Sequence, residues 1–187
     1  MDFTVELDKS NDVCFNYNNN ECSPVDLLDE EPYHIMGEIK DDCGNQIGYL
    51  SLYEFDNDDS FWYKCDMISG DCEIIAAYVC GKRGNIFKKY IPNVSSFETV
   101  LILDKIEINK NFRGKGIGSS VIRNLLYMMN YQFDSGKAIF LCASDYESAA
   151  KHGFDSEEYR EGTKKLVEFY KKLGFKIVKN NVMVYSE

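Results

Sequence analysis

A glycine-rich segment in the second half of the chain has the residue types that bind a phosphate group. Arg113 is followed by glycines at positions 114, 116 and 118, with Lys115 between the first two. Glycine lets a backbone approach an anion closely and adopt φ angles that other residues avoid. Apolar residues follow at helical spacing, and the first N–H groups of a helix lack backbone partners and lie at its positive end. The segment therefore predicts a pyrophosphate site made largely of main-chain donors.

Two common phosphate motifs do not fit this segment. The pattern G-x-G-x-x-G fails because Ser119 or Val121 stands where its third glycine is needed, and the pattern G-x-x-x-x-G-K-[ST] is absent. The pattern that is present is R-x-x-G-x-G, as Arg113, Gly116 and Gly118. A strand-to-helix turn whose glycines serve only packing could have the same residues, so the surrounding elements must decide.

Hydrophobic periodicity predicts the elements around the motif. A strand at 100–108 leads through the turn at 109–115 into a helix from 116 to about 136, which has Ile117, Val121, Leu125 and Met128 on one face. A strand at 138–143 and a polar loop at 144–156 follow. The chain then forms a helix that has Leu166, Tyr170 and Leu173 on one face and ends at Gly174, and a hairpin of 175–178 and 182–185. This order places the glycines between a strand and a helix.

The first half gives weaker signals. A strand is expected at 3–7, followed by polar loop, and then a hairpin of 34–40 and 47–53 across a turn at 41–46. A short helix is expected at 69–79, with Ser69 as N-cap and Ile74, Ile75 and Tyr78 on one face. No linker rich in proline, glycine or serine divides the chain, so we expect one domain over residues 1–187.

A second motif, Tyr170-x-x-x-Gly174-Phe175, ends the last helix. In this order, with a strand between them, the two motifs resemble those of the GNAT superfamily of acyl-CoA-dependent N-acetyltransferases. The resemblance covers residues 100–187 well and the hairpin at 34–53 loosely. It implies an α/β (α+β) fold with a mixed, mostly antiparallel central sheet flanked by helices, in which two central strands splay apart.

The chain departs from the family pattern in two places. No helix is evident before His34, whereas the family has two there that form the wall of the acceptor site; an extra segment at about 55–97 is interpreted as an insertion that rebuilds this wall. Thr163 stands where many members have an asparagine that bonds the pantetheine arm.

The resemblance implies a co-substrate, acetyl-CoA. No metal is expected, because the chain has only His34 and His152 and its cysteines lack metal-ligand spacing. The residues that would bind coenzyme A are Ile106, Glu107, Ile108, Arg113, Gly114, Lys115, Gly116, Ile117, Gly118, Ser119, Thr163 and Tyr170. The backbone around 106–108 would polarise the thioester, because the family's pantetheine arm pairs with this strand near a bulge.

The resemblance also implies roles in catalysis. Tyr170 is the candidate general acid for the thiolate, since a phenol with a pKa near 10 can donate its proton. Asp104 is the favoured general base and Glu107 the alternative; a regular strand would put them on opposite faces, but a bulge can change that. A core tyrosine and rim carboxylates remain the structural alternatives. Cys142 ends a strand near the expected thioester and, without a histidine partner, is interpreted as a small buried residue.

Composition restricts the partners and the compartment. The formal net charge of -10 argues against a general nucleic-acid binder, which needs a basic face. No apolar run approaches the roughly 20 residues that span a bilayer, and the first residues lack a signal-peptide pattern. Seven cysteines without metal-ligand spacing favour free thiols in the cytoplasm.

The function predicted from these observations is direct transfer of an acetyl group to the amine of a small molecule or of a protein. One alternative is a non-catalytic module of this fold that binds acyl-CoA or a protein. A further alternative is a toxin that acetylates aminoacyl-tRNA, for which the lysines at 164, 165, 171, 172, 176 and 179 would form the basic face, although they are expected to surround the cofactor phosphates. A homodimer remains open.

Overall fold

The computed structural model describes residues 3–10, 32–95, 98–132 and 138–186, with backbone alone for 3–10 and 128–132. The strands are β1 (Phe3–Ser10), β2 (Tyr33–Asp41), β3 (Gln46–Asp56), β4 (Thr99–Ile108), β5 (Ala138–Cys142), β6 (Lys176–Lys179) and β7 (Val182–Ser186). The helices are α1 (Phe61–Ile68), α2 (Gly70–Val79), α3 (Ile117–Gln132), α4 (Tyr146–His152) and α5 (Glu157–Lys172). Most of the polar loop expected after β1 lies outside the described residues.

The described strands form one mixed sheet in the order β1-β2-β3-β4-β5-β7-β6. Every neighbouring pair is antiparallel except β4 and β5, which run parallel. The expected hairpins are confirmed as β2-β3 and β6-β7. A parallel pair needs a crossover connection, and here α3 supplies it. This topology confirms the predicted fold class.

The turn between β2 and β3 follows from Asp41. Its carboxylate accepts hydrogen bonds from the backbone N–H groups of Cys43 at 3.0 Å and Asn45 at 2.9 Å. Gly44 supplies the positive φ of 80° that the turn requires. These local bonds help to set the register in which β2 pairs with β3.

The segment between β3 and β4 contains two helices, of which the sequence predicted one. Ser69 is the N-cap of α2, as expected, and its side chain accepts from the N–H of Cys72 at 3.2 Å. The predicted face is confirmed for Ile75, which is buried, and for Tyr78, which packs against the same cluster, but it was wrong for Ile74, which is 41% exposed. The buried residues of α2 are Cys72, Ile75, Ala76 and Val79. Their spacing is that of one helical stripe, and this stripe packs on the sheet.

Two apolar clusters cover the two faces of the sheet. One joins α3 and α5 to Leu101 and Leu103 of β4, and the other joins α1 and α2 to Val100 and Ile102. Alternate residues of β4 thus point to opposite faces. The predicted stripe of α3 is confirmed for Ile117, Val121 and Leu125, which are all buried, whereas the side chain of Met128 lies outside the described residues.

The expected loop at 144–156 is wrong, because most of it is α4. Asp145 caps this helix by accepting from the N–H of Ser148 at 3.1 Å. Ser156 caps α5 in the same way, and Gly174, with a φ of 98°, follows its last turn. A Cβ at Gly162 would lie 1.8 Å from the Asp145 carboxylate, so a glycine there lets α4 pack closely on α5.

Candidate acetyl-CoA and acceptor site

A bulge in β4 decides which side chains enter the candidate site. Ser51 of β3 pairs with Lys105, but the next residue, Leu52, pairs with Leu103, so Asp104 is the extra residue. Ser51 Oγ donates to Asp104 at 3.4 Å, and the Tyr49 hydroxyl donates to Glu107 at 3.2 Å. Because Ser51 and Tyr49 lie on one face of β3, both carboxylates lie on that face.

The strands β4 and β5 separate at the same point. They pair only where Leu101 to Leu103 lies beside Ile139 to Leu141. Beyond Leu103, β4 continues along β3 for another five residues, over which its other edge pairs with no described strand. A cleft of about 740 Å³ opens there. Its lining includes Asp104, Ile106, Glu107, Ile108, Arg113, Gly118, Cys142, Ser144, Tyr146, Glu147, Lys151, Phe169 and Tyr170.

The glycine motif forms the turn from β4 into α3. Gly114 and Gly116 have φ angles of 75° and 81°, which favour glycine. An added Cβ at either glycine would meet no atom within 4 Å. Packing therefore does not account for these two glycines, whereas the turn conformation does, and the space beside each of them is open. Ile117, the first residue of α3, follows directly, so the free N–H groups of the helix begin at this turn.

Arg113 is held between β4 and α4. Its Nε donates to the carbonyl oxygen of Ile108 at 2.7 Å, and its Nη1 donates to Glu147 at 2.7 Å. Glu147 also pairs with Lys110 at 2.9 Å and Lys151 at 2.8 Å. Hydrogen bonds from Arg113, Lys151 and Lys110 hold the pKa of Glu147 far below its usual range. Three cations around one carboxylate leave this end of the cleft, the cationic end, with excess positive charge.

Asp104 lies where β4 leaves β5, at the opposite end of the unpaired edge. Burial raises its pKa, and the hydrogen bond from Ser51 opposes that rise. His34 stacks on Tyr53 with ring centroids 4.6 Å apart, and its Nε2 lies 2.9 Å from Ser51 Oγ. Burial lowers the pKa of His34, which favours the neutral ring. The chain His34–Ser51–Asp104 fixes the carboxylate.

Glu107 has a different environment from Asp104. It pairs with Lys105 at 3.2 Å and accepts from Tyr49. These bonds, with that of Lys105 the larger, lower the pKa of Glu107. A carboxylate that is exposed, paired and more acidic than usual accepts a proton less readily than Asp104 does.

Tyr170 lies on the α5 side of the cleft. It is only 6% exposed and lies between the rings of Phe169 and Phe175, at centroid distances of 5.0 and 5.4 Å. Its hydroxyl makes no hydrogen bond to any residue that the structure describes. Burial raises the pKa of Tyr170, so the phenol is fully protonated at neutral pH.

Sequence reasoning missed a second carboxylate at the Asp104 end. Asp71, in the first turn of α2, accepts a hydrogen bond from the hydroxyl of Tyr146 in α4. Burial is the main cause that raises the pKa of Asp71, and the charge of Asp104 adds to it. Cys142 and Ser144 lie beside this pair, and Asn181 donates to both. The sequence signal that could have located Tyr146 is Asp145, the N-cap of the helix in which Tyr146 is the first residue.

Cys142 has a polar environment. Its Sγ lies 3.5 Å from Ser144 Oγ and 3.3 Å from Asn181 Nδ2. It lines the cleft and is only partly buried, so the interpretation as a small buried residue was incomplete. Burial raises its pKa to about 11, which disfavours the thiolate that a nucleophile needs.

The remaining predicted binding residues lie in three positions. Ile106, Glu107, Ile108, Arg113, Gly118 and Tyr170 line the cleft; Gly114, Lys115, Gly116, Ile117 and Ser119 lie in or beside its glycine turn. Thr163 lies elsewhere, with its hydroxyl accepting from the N–H of Asp145 at 3.2 Å. The lysines at 164, 165, 171, 172, 176 and 179 are exposed and do not line the cleft. The cations that line it among the described residues are Lys105, Lys110, Arg113 and Lys151.

Three implied features therefore occur together: the bulged and diverging pair β4-β5, the R-x-x-G-x-G turn at the start of α3, and a tyrosine on α5 beside the opening. The fold thus has the arrangement that the resemblance to the GNAT superfamily implies. The helices α1 and α2 lie between β3 and β4, in the segment that the sequence predicts as an insertion.

Solved structures are similar to this chain at low identity. A tyrosine-to-phenylalanine mutant of KacT matches with a TM-score of 0.45 and 15% identity, over 100% of this chain and 95% of that one. AtaT complexed with acetyl-methionyl-tRNAfMet matches with a TM-score of 0.45 and 15% identity, over 99% and 95%. Arabidopsis thaliana NAA60 in complex with a bisubstrate analogue matches with a TM-score of 0.44 and 12% identity, over 82% and 75%. No protein-family model and no curated protein matches the sequence.

Two features are absent from the residues that the structure describes. No helix there combines the length and the hydrophobicity that crossing a membrane requires. No group of three or more histidine, cysteine, aspartate or glutamate side chains there could hold a metal ion.

Proposed function

We propose that the protein is an N-acetyltransferase that moves the acetyl group of acetyl-CoA directly to an amine. The observation that carries the proposal is that one cleft has a cationic end at the glycine turn and a partly buried carboxylate, Asp104, at the other end of the unpaired edge of β4. From Asp104 to Ile108 this edge spans roughly 13 Å at the usual rise of a strand. An extended thioester arm could pair along it, with its phosphates at α3 and its acyl group near Asp104.

The cofactor end has the donors that a pyrophosphate needs. Gly116 and Ile117 open α3, whose first N–H groups are free for an anion. Arg113, fixed by the Ile108 carbonyl, adds a charge next to them. In the proposed complex, phosphate oxygens replace Glu147 as the partner of Arg113. Acetyl-CoA supplies the thioester whose carbonyl carbon the amine attacks.

Asp104 takes the role of general base in this proposal. Its pKa is raised by burial, which brings it nearer to the range in which a carboxylate accepts a proton effectively. It removes one proton from the attacking amine while the C–N bond forms. Glu107 is the weaker candidate, because Lys105 and Tyr49 already stabilise its charged form.

Tyr170 takes the role of general acid. As the C–S bond breaks, its hydroxyl gives a proton to the departing sulfur. Solvent then takes the proton that Asp104 received from the amine and returns one to the Tyr170 oxygen. Its raised pKa keeps the proton available, and the rings of Phe169 and Phe175 keep it in position. The backbone N–H groups along the open edge of β4 polarise the thioester carbonyl.

Two measurements test the proposal in sequence. Thermal unfolding with millimolar acetyl-CoA or CoA should show stabilisation, since a ligand at 100 times its dissociation constant contributes about 2.7 kcal/mol. Release of free thiol from acetyl-CoA is then followed with a panel of amines. Absence of any thermal shift would contradict the cofactor site, whereas binding without thiol release from any amine would favour the non-catalytic module.

A further inference from the structure

An alkylamine acceptor has to lose more protons than Asp104 can hold at one time. The amine of a lysine side chain has a pKa of about 10.4, so at neutral pH only roughly one such amine in a thousand is neutral. A bound ammonium group must lose one proton before its nitrogen can attack, and a second proton as the C–N bond forms. If Asp104 takes both, the first proton has to leave the carboxyl group before the attack.

A chain of hydrogen bonds leads away from Asp104 on the side that does not face the cleft. Ser51 Oγ lies 3.4 Å from Asp104 Oδ2 and 2.9 Å from His34 Nε2. Asp104 lines the cleft, whereas Ser51 and His34 do not. Ser51 is only 6% exposed, but His34 is partly exposed. The chain thus connects the reacting end of the cleft with a ring that solvent reaches by another route.

Three neighbouring strands hold this chain in place. His34 lies on β2, and its ring stacks on that of Tyr53 at an interplanar angle of 18°. Ser51 precedes Tyr53 by two residues on the same face of β3, and Asp104 is the extra residue of the bulge in β4. A phenylalanine or tyrosine at position 34 could stack equally well. The imidazole differs from these rings in having a nitrogen that can take up a proton beside Ser51.

The electrostatic environment brings the two ends of the chain closer in acidity. Burial raises the pKa of Asp104. Burial also lowers the pKa of His34, and the charge of Asp104 opposes that change. The two pKa values are therefore closer than in the free side chains, which reduces the cost of moving a proton either way. Among the described residues, Tyr53 is the other ionisable group against the ring, and burial is the main cause that raises its pKa to about 12, so it stays neutral.

We propose that His34, acting through Ser51, takes the first proton of the ammonium acceptor from Asp104, so that Asp104 is again a carboxylate when the amine attacks. The proposal rests on the function proposed above, in which Asp104 is the base. His34 and Ser51 do not touch the acceptor and act only through Asp104.

The proton passes along the chain in two steps that balance. Asp104 gives its proton to Ser51 Oγ while the Ser51 hydroxyl gives its own proton to Nε2 of His34, in the tautomer that has its hydrogen on Nδ1. The imidazolium then loses the Nδ1 proton to solvent. Asp104 is left as a carboxylate, Ser51 as a hydroxyl and His34 as a neutral ring, and exchange with solvent restores the starting tautomer.

The first experiment compares two acceptors of similar size, ethylamine and 2,2-difluoroethylamine. The fluorine atoms withdraw electrons, so a large part of the second amine is already neutral at neutral pH. His34→Gln keeps a polar side chain beside Ser51 but cannot take up a proton. It should lower kcat/KM for ethylamine about tenfold, less than the 100-fold or more of a lost base, and leave that for difluoroethylamine unchanged. The matched control is His152→Gln, the exposed last residue of α4, which should change neither value.

The pH dependence provides a readout that a merely structural role of His34 would not move. Below the pKa of the acceptor, the neutral fraction of the amine rises about tenfold with each pH unit. The loss in His34→Gln should therefore shrink as the pH rises, for ethylamine and for any other alkylamine that the wild-type protein acetylates. Equal losses for the two amines, or a loss that does not change with pH, would overturn the proposal.

Ser51→Ala interrupts the same chain at its middle and provides a second variant. Measured above the acid limb of the pH profile, it should give the same selective loss for ethylamine. Ethylamine turnover equal to that of the wild-type protein would overturn the relay. Thiol release by His34→Gln that equals wild type for every amine would overturn the relay alone and leave the proposed function intact. Absence of thiol release from every amine with the wild-type protein would contradict the proposed function, and the relay with it.

Discussion

Arg113 and Glu147 form a pair 2.7 Å apart at the cationic end of the cleft. Glu147 is the common partner of Arg113, Lys110 and Lys151, and its carboxylate lines the cleft. A phosphate group that used Arg113 would have to displace this carboxylate. The pair therefore opposes the anion that the proposed function requires, while it keeps the guanidinium beside the turn.

Neutralising Glu147 should strengthen coenzyme A binding. Glu147→Gln leaves the three cations without their carboxylate, so the dissociation constant of CoA should fall about threefold, the scale of an exposed charge pair. Titration calorimetry at low and moderate salt measures it, and salt should reduce the gain. Glu161→Gln, an exposed carboxylate of α5, is the control. Weaker binding in Glu147→Gln would mean that the carboxylate positions Arg113 for the ligand.

A charged side chain at Gly116 should abolish CoA binding. The φ angle of 81° there is one that asparagine and aspartate tolerate better than other residues with a side chain. Gly116→Asp and Gly116→Asn therefore have similar backbone strain and differ in charge. Because nothing lies within 4 Å of an added Cβ, either variant should fold. Calorimetry should show no CoA binding for the aspartate variant and measurable binding for the asparagine variant; equal affinities would mean that the phosphates bind elsewhere.

The parts of the site that the sequence predicted are encoded locally. The strand, turn and helix from Thr99 to Gln132 follow from a run of valine, isoleucine and leucine, then glycines, then a helical stripe. Ser69 was predicted as an N-cap because it precedes a helical pattern. Each of these signals lies within a few residues of the feature it specifies.

The parts that the sequence did not predict depend on distant partners. The resemblance implied a bulge in β4, but its position at Asp104 is set by the register against Ser51, which lies 53 positions away. Asp71 meets Tyr146 across 75 positions, so no local pattern relates them. The helix α4 has only 7 residues and is stabilised by packing on α5 around Gly162, whereas α1 begins with three aromatic residues that favour a strand.

Removing the hydroxyl of Ser51 should shift the pH dependence of catalysis. The hydrogen bond from Ser51 lowers the pKa of Asp104 and thereby opposes the effect of burial. Without it the pKa rises further, and the base is protonated at a higher pH. The acid limb of the kcat profile should therefore move to higher pH in Ser51→Ala. The acceptor amine ionises in the same way with the wild-type protein and with Ser51→Ala. The difference between their two pH profiles therefore reflects the pKa of the base in the protein.

Two further variants define how the Ser51 result is interpreted. His34→Phe keeps a ring to stack on Tyr53 and removes the bond to Ser51, so it should give a smaller shift in the same direction. Asp104→Asn should lower kcat by about 100-fold or more and remove the acid limb from the pH profile of kcat. If Asp104→Asn retained the acid limb, the base would be another group, with Glu107 the first candidate.

Replacing Tyr170 with phenylalanine tests catalysis at a single oxygen. The ring between Phe169 and Phe175 is kept, and the hydroxyl has no described partner to lose, so the fold and CoA affinity should be retained. If Tyr170 protonates the departing sulfur, single-turnover rates should fall by about 100-fold or more. The loss should appear in kcat rather than KM, since the interaction develops in the transition state. Tyr185→Phe, whose ring lies 5.7 Å from that of Phe175 in the same cluster, should remain active; wild-type turnover in Tyr170→Phe would leave the residue with a packing role alone.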